Sequence, residues 1–345
     1  MSAEQTGVLD GAVAPAEQTR LFGHDEAAAF LAQSYRSGKG HHAILIEGPE
    51  GIGKATLAFR FAHHILSYPD PRTAPETMAD PDPSSPLGRQ IASGASHNLL
   101  HLSRPVDEKT GKMRAAITVD EVRRAGKFFS QTSGTGGWRI VIIDPADDLN
   151  RNAANAILKI LEEPPRNALF LVLTHAPGKL LPTIRSRCLP LSLSPLPEHE
   201  LAQALDSLGV TLPADQTGRV LAAAGGSVAT ALKLINYGGF DILEAFRAIV
   251  SQAGAAPRKD VHKLADVLAA RDGDTLYDFF CSQAVDHVVE KARAAGIAGD
   301  VVAAERTARL VSSLSEKINV AAAYNLDRKQ TVIEVLDEIA LQAGG

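Results

Sequence analysis

The sequence predicts an α/β domain built on a parallel sheet, followed by segments that are entirely helical. Apolar runs alternate with helical patterns as far as residue 196, and a glycine-rich loop follows the first of these runs. From about Glu198 onward only helical periodicity is visible. Parallel strands joined through helices are covered on both faces of their sheet, which explains why the apolar runs are continuous rather than alternating.

The elements follow one another in a regular order. "HHAILIEG" is the first predicted strand, and the helix "ATLAFRFAHHIL" comes after the glycine loop. A helix is then predicted for "VDEVRRAGKFFSQ", a strand for "GTGGWRIVIID" and a helix for "AANAILKILEE", which Pro164 and Pro165 end. "ALFLVLTH" and "RCLPLSL" are the third and fourth strands. Residues 68–90 are rich in Pro, Asp and Ser, so they are predicted to be a loop or insertion.

These patterns divide the chain into four predicted parts. Residues 1–20 are expected to form a flexible tail, residues 21–196 the α/β domain, residues 197–238 a small helical domain and residues 239–345 a larger helical domain. The last two are separated by the turn-rich segment "NYGGF".

Composition excludes several classes of protein. Of the 345 residues 45% are hydrophobic and 22% charged, as in soluble globular proteins, and a net charge of -5 argues against general coating of nucleic acid. Two cysteines, Cys188 and Cys281, are too few for a disulfide framework or a four-cysteine zinc module. The sequence has no apolar run of about 20 residues and no secretory signal pattern, so a cytoplasmic location without a membrane partner is expected.

The glycine loop "GPEGIGKATLA" matches most of the phosphate-binding pattern G-x-x-x-x-G-K-[ST]. Gly48, Gly53 and Lys54 occupy its fixed positions, and Gly51 lies inside the loop. In such loops backbone N–H groups surround phosphate oxygens at a helix N-terminus, and the lysine adds a positive charge. The alternative is a glycine turn followed by a chance lysine.

The positions that would bind magnesium and activate water are altered. Ala55 stands where a Ser or Thr hydroxyl normally ligates Mg²⁺, and Thr56 comes one residue later, about 100° around the helix. Asp144, at the end of the second predicted strand, is placed to hold a metal ion, although an Asp that caps a strand is the simpler alternative. In P-loop ATPases a Glu that directly follows this Asp usually activates water, but Pro145 stands there and has no acid–base chemistry, so hydrolysis is not expected.

The segment "TIRSRC" contains two arginines directly before the last predicted strand. Arg185 and Arg187 carry planar guanidinium groups that suit phosphate oxygens, and the alternative is a pair of surface salt bridges. Histidine pairs at 41/42, 63/64 and 97/101 have no clear third ligand, so no metal site is predicted.

Taken together, these segments resemble the AAA+ proteins of bacterial clamp loaders. The resemblance runs from about Leu21 to the C-terminus and rests on "LFGHDEA", the glycine loop, "WRIVIIDPADDLNRNAANAILKILEEPP", "LVLTHAPGKLLPTIRSRC", "AAGGSVATAL" and "YNLDRKQTVIEVL". It implies a P-loop AAA+ parallel sheet at residues 21–196, a small helical lid at 197–238 and an all-α collar that oligomerises at 239–345.

The resemblance also implies roles for single residues. Arg187, within Ser-Arg-Cys, corresponds to an arginine finger that acts in trans on ATP bound by a neighbouring subunit. Thr174 corresponds to the sensor-1 position, and Phe22 and His24 would lie near an adenine. Ala229 stands where the motor subunits carry a sensor-2 arginine.

Ala55, Pro145 and Ala229 together fit the non-hydrolysing member of the clamp loader rather than its motor. The alternative within the family is an ATP-hydrolysing subunit like gamma/tau. The alternative outside it is a stand-alone P-loop regulator, which would need neither the Ser-Arg-Cys segment nor a separate helical C-terminal domain.

The implied partners are the gamma/tau and delta subunits of the DNA polymerase III clamp loader. Through that complex the protein would reach the sliding clamp and primer-template DNA. No independent ATPase activity and no required cofactor are expected, although the degenerate nucleotide site could bind ATP or ADP weakly. No zinc is expected, because residues 68–90 lack the four cysteines that many relatives carry after the P-loop helix.

Overall fold

The computed structural model describes residues 8–107, 113–130, 137–212, 214–252, 256–270 and 273–343. The chain divides into two compact units, Met1–Ala229 and Thr230–Gly345. Residues 1–7 of the predicted tail lie outside the described residues. Within residues 8–20, Ala14 is buried.

Five strands form the centre of the first unit. They are β1 (Ala43–Glu47), β2 (Leu99–Leu102), β3 (Arg139–Ile143), β4 (Ala168–Thr174) and β5 (Leu189–Ser192). Around them lie α1 (Asp25–Arg36), α2 (Lys54–Ser67), α3 (Pro86–Ala92), α4 (Val119–Ser130), α5 (Arg151–Glu162), α6 (Pro182–Arg185), α7 (Glu198–Ser207) and α8 (Ala214–Ala224). A further helix, α9 (Val228–Asn236), begins at the end of this unit.

The sheet is parallel throughout, in the order β2-β3-β4-β1-β5. β3 and β4 are buried along their whole length, as their continuous apolar sequences predict. Because all strands point the same way, the segments after β1, β3 and β4 meet at one edge of the sheet, where Glu47 pairs with Thr174. The predicted α/β fold is confirmed, and this edge carries the candidate site.

The sequence analysis missed β2, the edge strand within "NLLHL". It is only four residues long, and its exposed side includes His101, so its apolar signal is weak. His101 therefore lies on a strand, and it shares no helix face with His97, which lies in a turn.

Apolar side chains fill the space on both faces of the sheet. One core cluster joins α1 and α2 to the sheet and includes Leu31, Leu57 and Ile140. The other joins α4 and α5 to the opposite face, with Val122 and Phe170 among its members. The sheet is thereby covered as a parallel sheet requires.

Two arginines, one on α1 and one on α2, hold part of the loop at residues 68–90 against these helices. Arg36, at the end of α1, donates to the carbonyl of Ala74. Arg60, on α2, donates to the carbonyl of Met78 at 3.2 Å and pairs with Asp80 at 2.5 Å. The side chains of Ala74 and Met78 are buried. The insertion is thus anchored by apolar contacts and by arginine–carbonyl bonds.

The second unit is helical. It contains α10 (Gly239–Val250), α11 (Arg258–Leu268), α12 (Asp274–Ile297), α13 (Val301–Tyr324) and α14 (Arg328–Ala343). α12 and α13 pack along each other, yet no residue between Val288 and Leu310 is buried. Three apolar side chains at this connecting end are 73–79% exposed: Ile297, Val301 and Val302.

Among the described residues, no helix combines the length and the apolar character that crossing a bilayer requires.

Candidate functional site

The glycine loop connects β1 to α2, as the sequence predicts. Gly51 has a φ of 74°, in the left-handed region that favours glycine. A Cβ atom at this position would lie 2.4 Å from the Cβ of Ala229 and 2.5 Å from Oγ of Ser227. The loop therefore lies directly against residues 227–229, at the start of α9.

The two outer glycines of the loop lie at its ends. Gly48 comes directly after β1, and a Cβ atom there would lie 2.5 Å from the carbonyl oxygen of Leu193. Gly53 is the residue before α2. The predicted strand–glycine loop–helix order, which makes a phosphate-binding loop credible, is present.

Lys54 directs its ammonium group into its own protein. The residue is only 4% exposed, and Nζ donates to the carbonyls of Gly48 at 2.7 Å and Pro49 at 2.5 Å. A third contact joins Nζ to Nδ1 of His175 at 2.8 Å. Burial lowers the pKa of His175, and the charge of Lys54 lowers it further, so Nδ1 is an acceptor. An ammonium group has three N–H donors, and all three are used here.

Burial also lowers the pKa of Lys54 to about 8, although the nearby carboxylate of Asp144 acts in the opposite direction. The lysine is thus placed as in a phosphate-binding loop, but its N–H donors are bonded to two carbonyls of the loop and to His175.

The next three carbonyls of the loop are bonded as well. Ser227 donates from Oγ to the carbonyl of Glu50 at 2.8 Å. The backbone N–H of Val228 donates to the carbonyl of Gly51 at 2.9 Å. His24, whose pKa is lowered by burial, donates from Nε2 to the carbonyl of Ile52 at 2.7 Å. Five consecutive carbonyls, at residues 48–52, therefore accept hydrogen bonds from the protein itself.

The predicted magnesium positions have no hydroxyl at the usual place. Ala55 is half-buried and packs against the apolar core, and Thr56 follows it on α2. Asp144 directly follows β3, where its Oδ2 lies 3.6 Å from Nε2 of His101. Pro145 comes next in the chain. The carboxylate of Asp144 is thus present at the end of β3, whereas Ala55 and Pro145 have no side-chain oxygen.

Asp147, which the sequence analysis did not single out, organises the end of β4. Thr174 is fully buried, and its hydroxyl donates to Oδ1 of Asp147 at 2.9 Å. The backbone N–H groups of His175 and Ala176 donate to the same carboxylate at 2.7 and 3.2 Å. The predicted sensor-1 hydroxyl is thus bound within the protein.

Asp148 lies beside this carboxylate and pairs with Arg104 at 3.0 Å. Burial raises the pKa of Asp148 to about 6, and the charge of Arg104 opposes the shift without cancelling it. The acidic cluster after β3 therefore contains a carboxyl group that titrates well above its usual range.

The Ser-Arg-Cys segment lies between α6 and β5. Arg187 donates from Nη2 to Oε1 of Glu162 at 2.6 Å, and its side chain is 33% exposed. It bonds to the backbone of Thr183 and to Ser186, and none of these partners belongs to the glycine loop. Cys188 is buried, which raises the pKa of its thiol to about 11. Arg187 thus forms the surface salt bridge that the sequence left open as an alternative.

Comparison with known proteins identifies the family. A family model described as "DNA polymerase III, delta subunit" matches residues 23–197. The DNA polymerase III subunit delta' of Pseudomonas aeruginosa is 34% identical over 247 residues, which cover 70% of this chain and 69% of that protein. The chain belongs to the delta' subunit family of DNA polymerase III.

Other members and relatives agree with this assignment. The delta' subunit of Escherichia coli is 31% identical over 204 residues, covering 59% of this chain and 57% of that protein. A gamma/tau subunit of Mycobacterium tuberculosis is 26% identical over 276 residues, covering 76% of this chain but only 44% of the relative. The delta' interpretation is thus supported over the gamma/tau alternative.

Within this delta'-family chain, sequence reasoning found the motifs and missed their internal partners. Asp147, His175 and Glu162 contact predicted site residues across 25 to 121 positions in the chain. The acidic run "DPADD" was the available signal for Asp147. Nothing in the local sequence indicates that His175 would bind the P-loop lysine.

No cluster of three or more His, Cys, Asp or Glu side chains able to hold a metal ion occurs within the described ranges. The rings of His41 and His42 stack on each other at 4.5 Å. The absence of zinc stays a prediction from the missing cysteines.

Proposed function

We propose that this delta'-family protein is a non-hydrolysing subunit of the replicative clamp loader. In this function it assembles with gamma/tau and delta counterparts in the cytoplasm and helps to place the sliding clamp on primer-template DNA, meeting both through the complex. The observation that carries the proposal is the residues at positions 55 and 145, since Ala55 has no hydroxyl for magnesium and Pro145 has no carboxylate to activate water. Lys54 adds support, because its three donors are all bonded within the protein and a phosphate would have to displace these contacts.

The nucleotide site is inactive in this proposal. A bound triphosphate would have to displace the three lysine contacts, and neither Ala55 nor Pro145 can assist magnesium binding or water activation. We expect ATP and ADP to bind weakly or not at all, with little dependence on magnesium. The loop is retained as a scaffold for residues 227–229.

The active contribution of the subunit is Arg187, acting on ATP held by a neighbour. Its guanidinium remains partly exposed on the surface, and a charged planar fork stabilises the phosphoryl-transfer transition state by neutralising its developing charge. The chain thus supplies part of an active site without having one of its own.

The helical C-terminal domain at residues 239–345 is proposed to form the collar. Its support is the set of apolar side chains exposed by 73% or more in the second unit: Ile297, Val301, Val302, Tyr324 and Leu341. Three of them, Ile297, Val301 and Val302, lie together where α12 meets α13, and an exposed apolar group of this kind is typical of a protein interface.

Two measurements on the purified subunit test the inactive site. A steady-state ATPase assay should show no meaningful turnover, and a rate of about 1 s⁻¹ or more would contradict the proposal. Calorimetric titration with ATP, with and without magnesium, should show weak binding or none. A tight, strictly magnesium-dependent site would mean that Thr56 or another group replaces the missing hydroxyl.

Reconstitution tests the assembly. The full-length protein should form a stable complex with its gamma/tau and delta counterparts on size-exclusion chromatography. A variant that ends before Gly239 should fail to enter the complex, and unchanged assembly of this variant would contradict the collar assignment. Circular dichroism of the truncated protein checks that the α/β domain is still folded.

The gamma/tau-like alternative requires a hydroxyl at position 55 and a carboxylate at position 145. The sequence has Ala55 and Pro145 there. No contact in the described residues favours that alternative.

A further inference from the structure

A carboxylate from a different helix holds the guanidinium of Arg187. Glu162 is the last residue of α5, and its Oε1 lies 2.6 Å from Nη2 of Arg187. Nη1 donates to the carbonyl of Thr183 at 2.9 Å and contacts Oγ of Ser186 at 3.4 Å. The three contacts use Nη1 and Nη2, and Nε–H takes part in none of them.

We propose that Glu162 is a positioning residue, which orients the Arg187 guanidinium toward the ATP of a neighbouring subunit. The proposal rests on the function proposed above for Arg187. An arginine side chain has large rotamer freedom, and a side chain already held in one orientation loses less of it when phosphate binds. Glu162 supplies the only one of the three contacts that comes from outside the segment Thr183–Arg187.

The exposure of the Glu162–Arg187 pair indicates whether Glu162 orients the guanidinium or blocks it. The Glu162 side chain is 48% exposed and that of Arg187 is 33% exposed, so the pair is screened by water and is weak. A weak pair does not keep an arginine from a triphosphate that carries several negative charges. Moreover, Thr183 and Ser186 would still hold Nη1 after Glu162 is removed, so the loss of Glu162 changes the orientation of the guanidinium more than its availability.

The test uses the complete clamp loader reconstituted with its gamma/tau and delta counterparts. Glu162→Ala should lower the kcat of the Arg187-dependent part of the DNA- and clamp-stimulated ATPase about two- to five-fold, the range that an exposed charge pair supports. The KM for ATP should stay constant, because the neighbour binds the nucleotide. Glu162→Gln keeps an oxygen acceptor and should recover most of the rate. Glu163→Ala, at the next and also exposed residue, is the matched control and should change nothing.

A double-variant cycle separates positioning from a general structural effect. On the Arg187→Ala background, Glu162→Ala should have no further effect, since there is no guanidinium left to orient. A similar loss on both backgrounds would overturn the proposal, as would a rate that rises or stays constant in the Glu162→Ala complex. Thermal melting of each subunit and the yield of assembled complex exclude a defect in folding.

The same data distinguish this inference from the proposed function. If Arg187→Ala reduces ATPase activity and Glu162→Ala does not, the finger role stands and the positioning role is overturned. If Arg187→Ala has no effect, both are overturned.

Discussion

The glycine loop and the Ser-Arg-Cys segment differ in where their polar groups make their hydrogen bonds. In the loop, five consecutive carbonyls and the ammonium group of Lys54 are bonded to the same protein. In the segment, Arg185 is exposed and Arg187 is held only at the surface. The segment matches its motif in full, whereas the loop departs from its motif at Ala55. Exposure separates the two regions, since Lys54 is 4% exposed and the side chain of Arg187 is 33% exposed.

The largest expected effect of a substitution is at Arg187. Arg187→Ala should lower ATP turnover at the one interface that this subunit completes by about 10³-fold or more, because a trans-acting arginine neutralises transition-state charge. Stability of the subunit should change by less than about 1 kcal/mol, since the pair with Glu162 is exposed. Stimulated ATPase and clamp loading by the reconstituted complex measure the effect.

Two further variants serve as controls for that measurement. Arg187→Lys should rescue little, because lysine lacks the planar fork. Arg185→Ala should be milder, and equal losses from Arg185→Ala and Arg187→Ala would return Arg187 to the role of a surface salt bridge.

On the loop side of the comparison, the carboxylate of Asp147 accepts from the backbone of His175, whose ring contacts Lys54. Asp147→Ala removes the acceptor of the buried hydroxyl of Thr174 and of the backbone N–H of His175, while the N–H of Ala176 keeps its second acceptor, Oγ1 of Thr174. We expect a loss of about 2–4 kcal/mol in the free energy of unfolding, measured by urea denaturation. Asp147→Asn keeps one acceptor oxygen and should lose less. A change below about 0.5 kcal/mol for Asp147→Ala would show that water replaces the carboxylate.

Two glycine substitutions test how closely the loop packs against residues 227–229. Gly51→Ala should cost about 2–3 kcal/mol, because the new Cβ atom adds crowding against Ser227 and Ala229 to the strain of a left-handed residue. Gly94 has a φ of 68° and no atom within 4 Å of its added Cβ, so Gly94→Ala measures the strain alone, about 1 kcal/mol. Equal losses would mean that the loop moves away from these residues without cost.

The smallest expected effect is a pH dependence at Asp148. Its pKa in the folded protein, about 6, lies above its ordinary value of 3.8. The folded state therefore holds this proton more tightly than the unfolded state, and the stability from this group is lost as pH rises from about 4 to 6. The free energy of unfolding of Asp148→Asn, minus that of the unmodified protein, should therefore be about 1–2 kcal/mol higher at pH 7 than at pH 4. Parallel denaturation curves at the two pH values are the measurement, and an unchanged difference would contradict the raised pKa.

Local sequence was sufficient for features that depend on local order. Four of the five strands, the helices α2, α4 and α5 and the glycine loop were predicted, because long apolar runs and helical spacing are strong signals, whereas α1 was not predicted. β2 was missed, since a four-residue edge strand containing His101 has almost no periodic signal.

The internal contacts of the site could not be predicted from the sequence for a different reason. Lys54 and His175 are 121 residues apart, and Ser227 meets Glu50 across 177 residues. Such contacts depend on how the strands are ordered in the sheet, which no short motif encodes. The P-loop pattern therefore predicted the shape of the loop, but not the hydrogen bonds from its lysine to its own carbonyls.

The position of β1 in the sheet has a consequence for synthesis on the ribosome. β1 lies between β4 and β5, yet Ala168, the first residue of β4, is 125 residues after Ala43. At about 5–20 residues per second, the apolar segment "AILI" waits roughly 6–25 s before its first neighbouring strand has been made. During that interval it has no partner strand, and we expect chaperones that bind short apolar segments to recognise it.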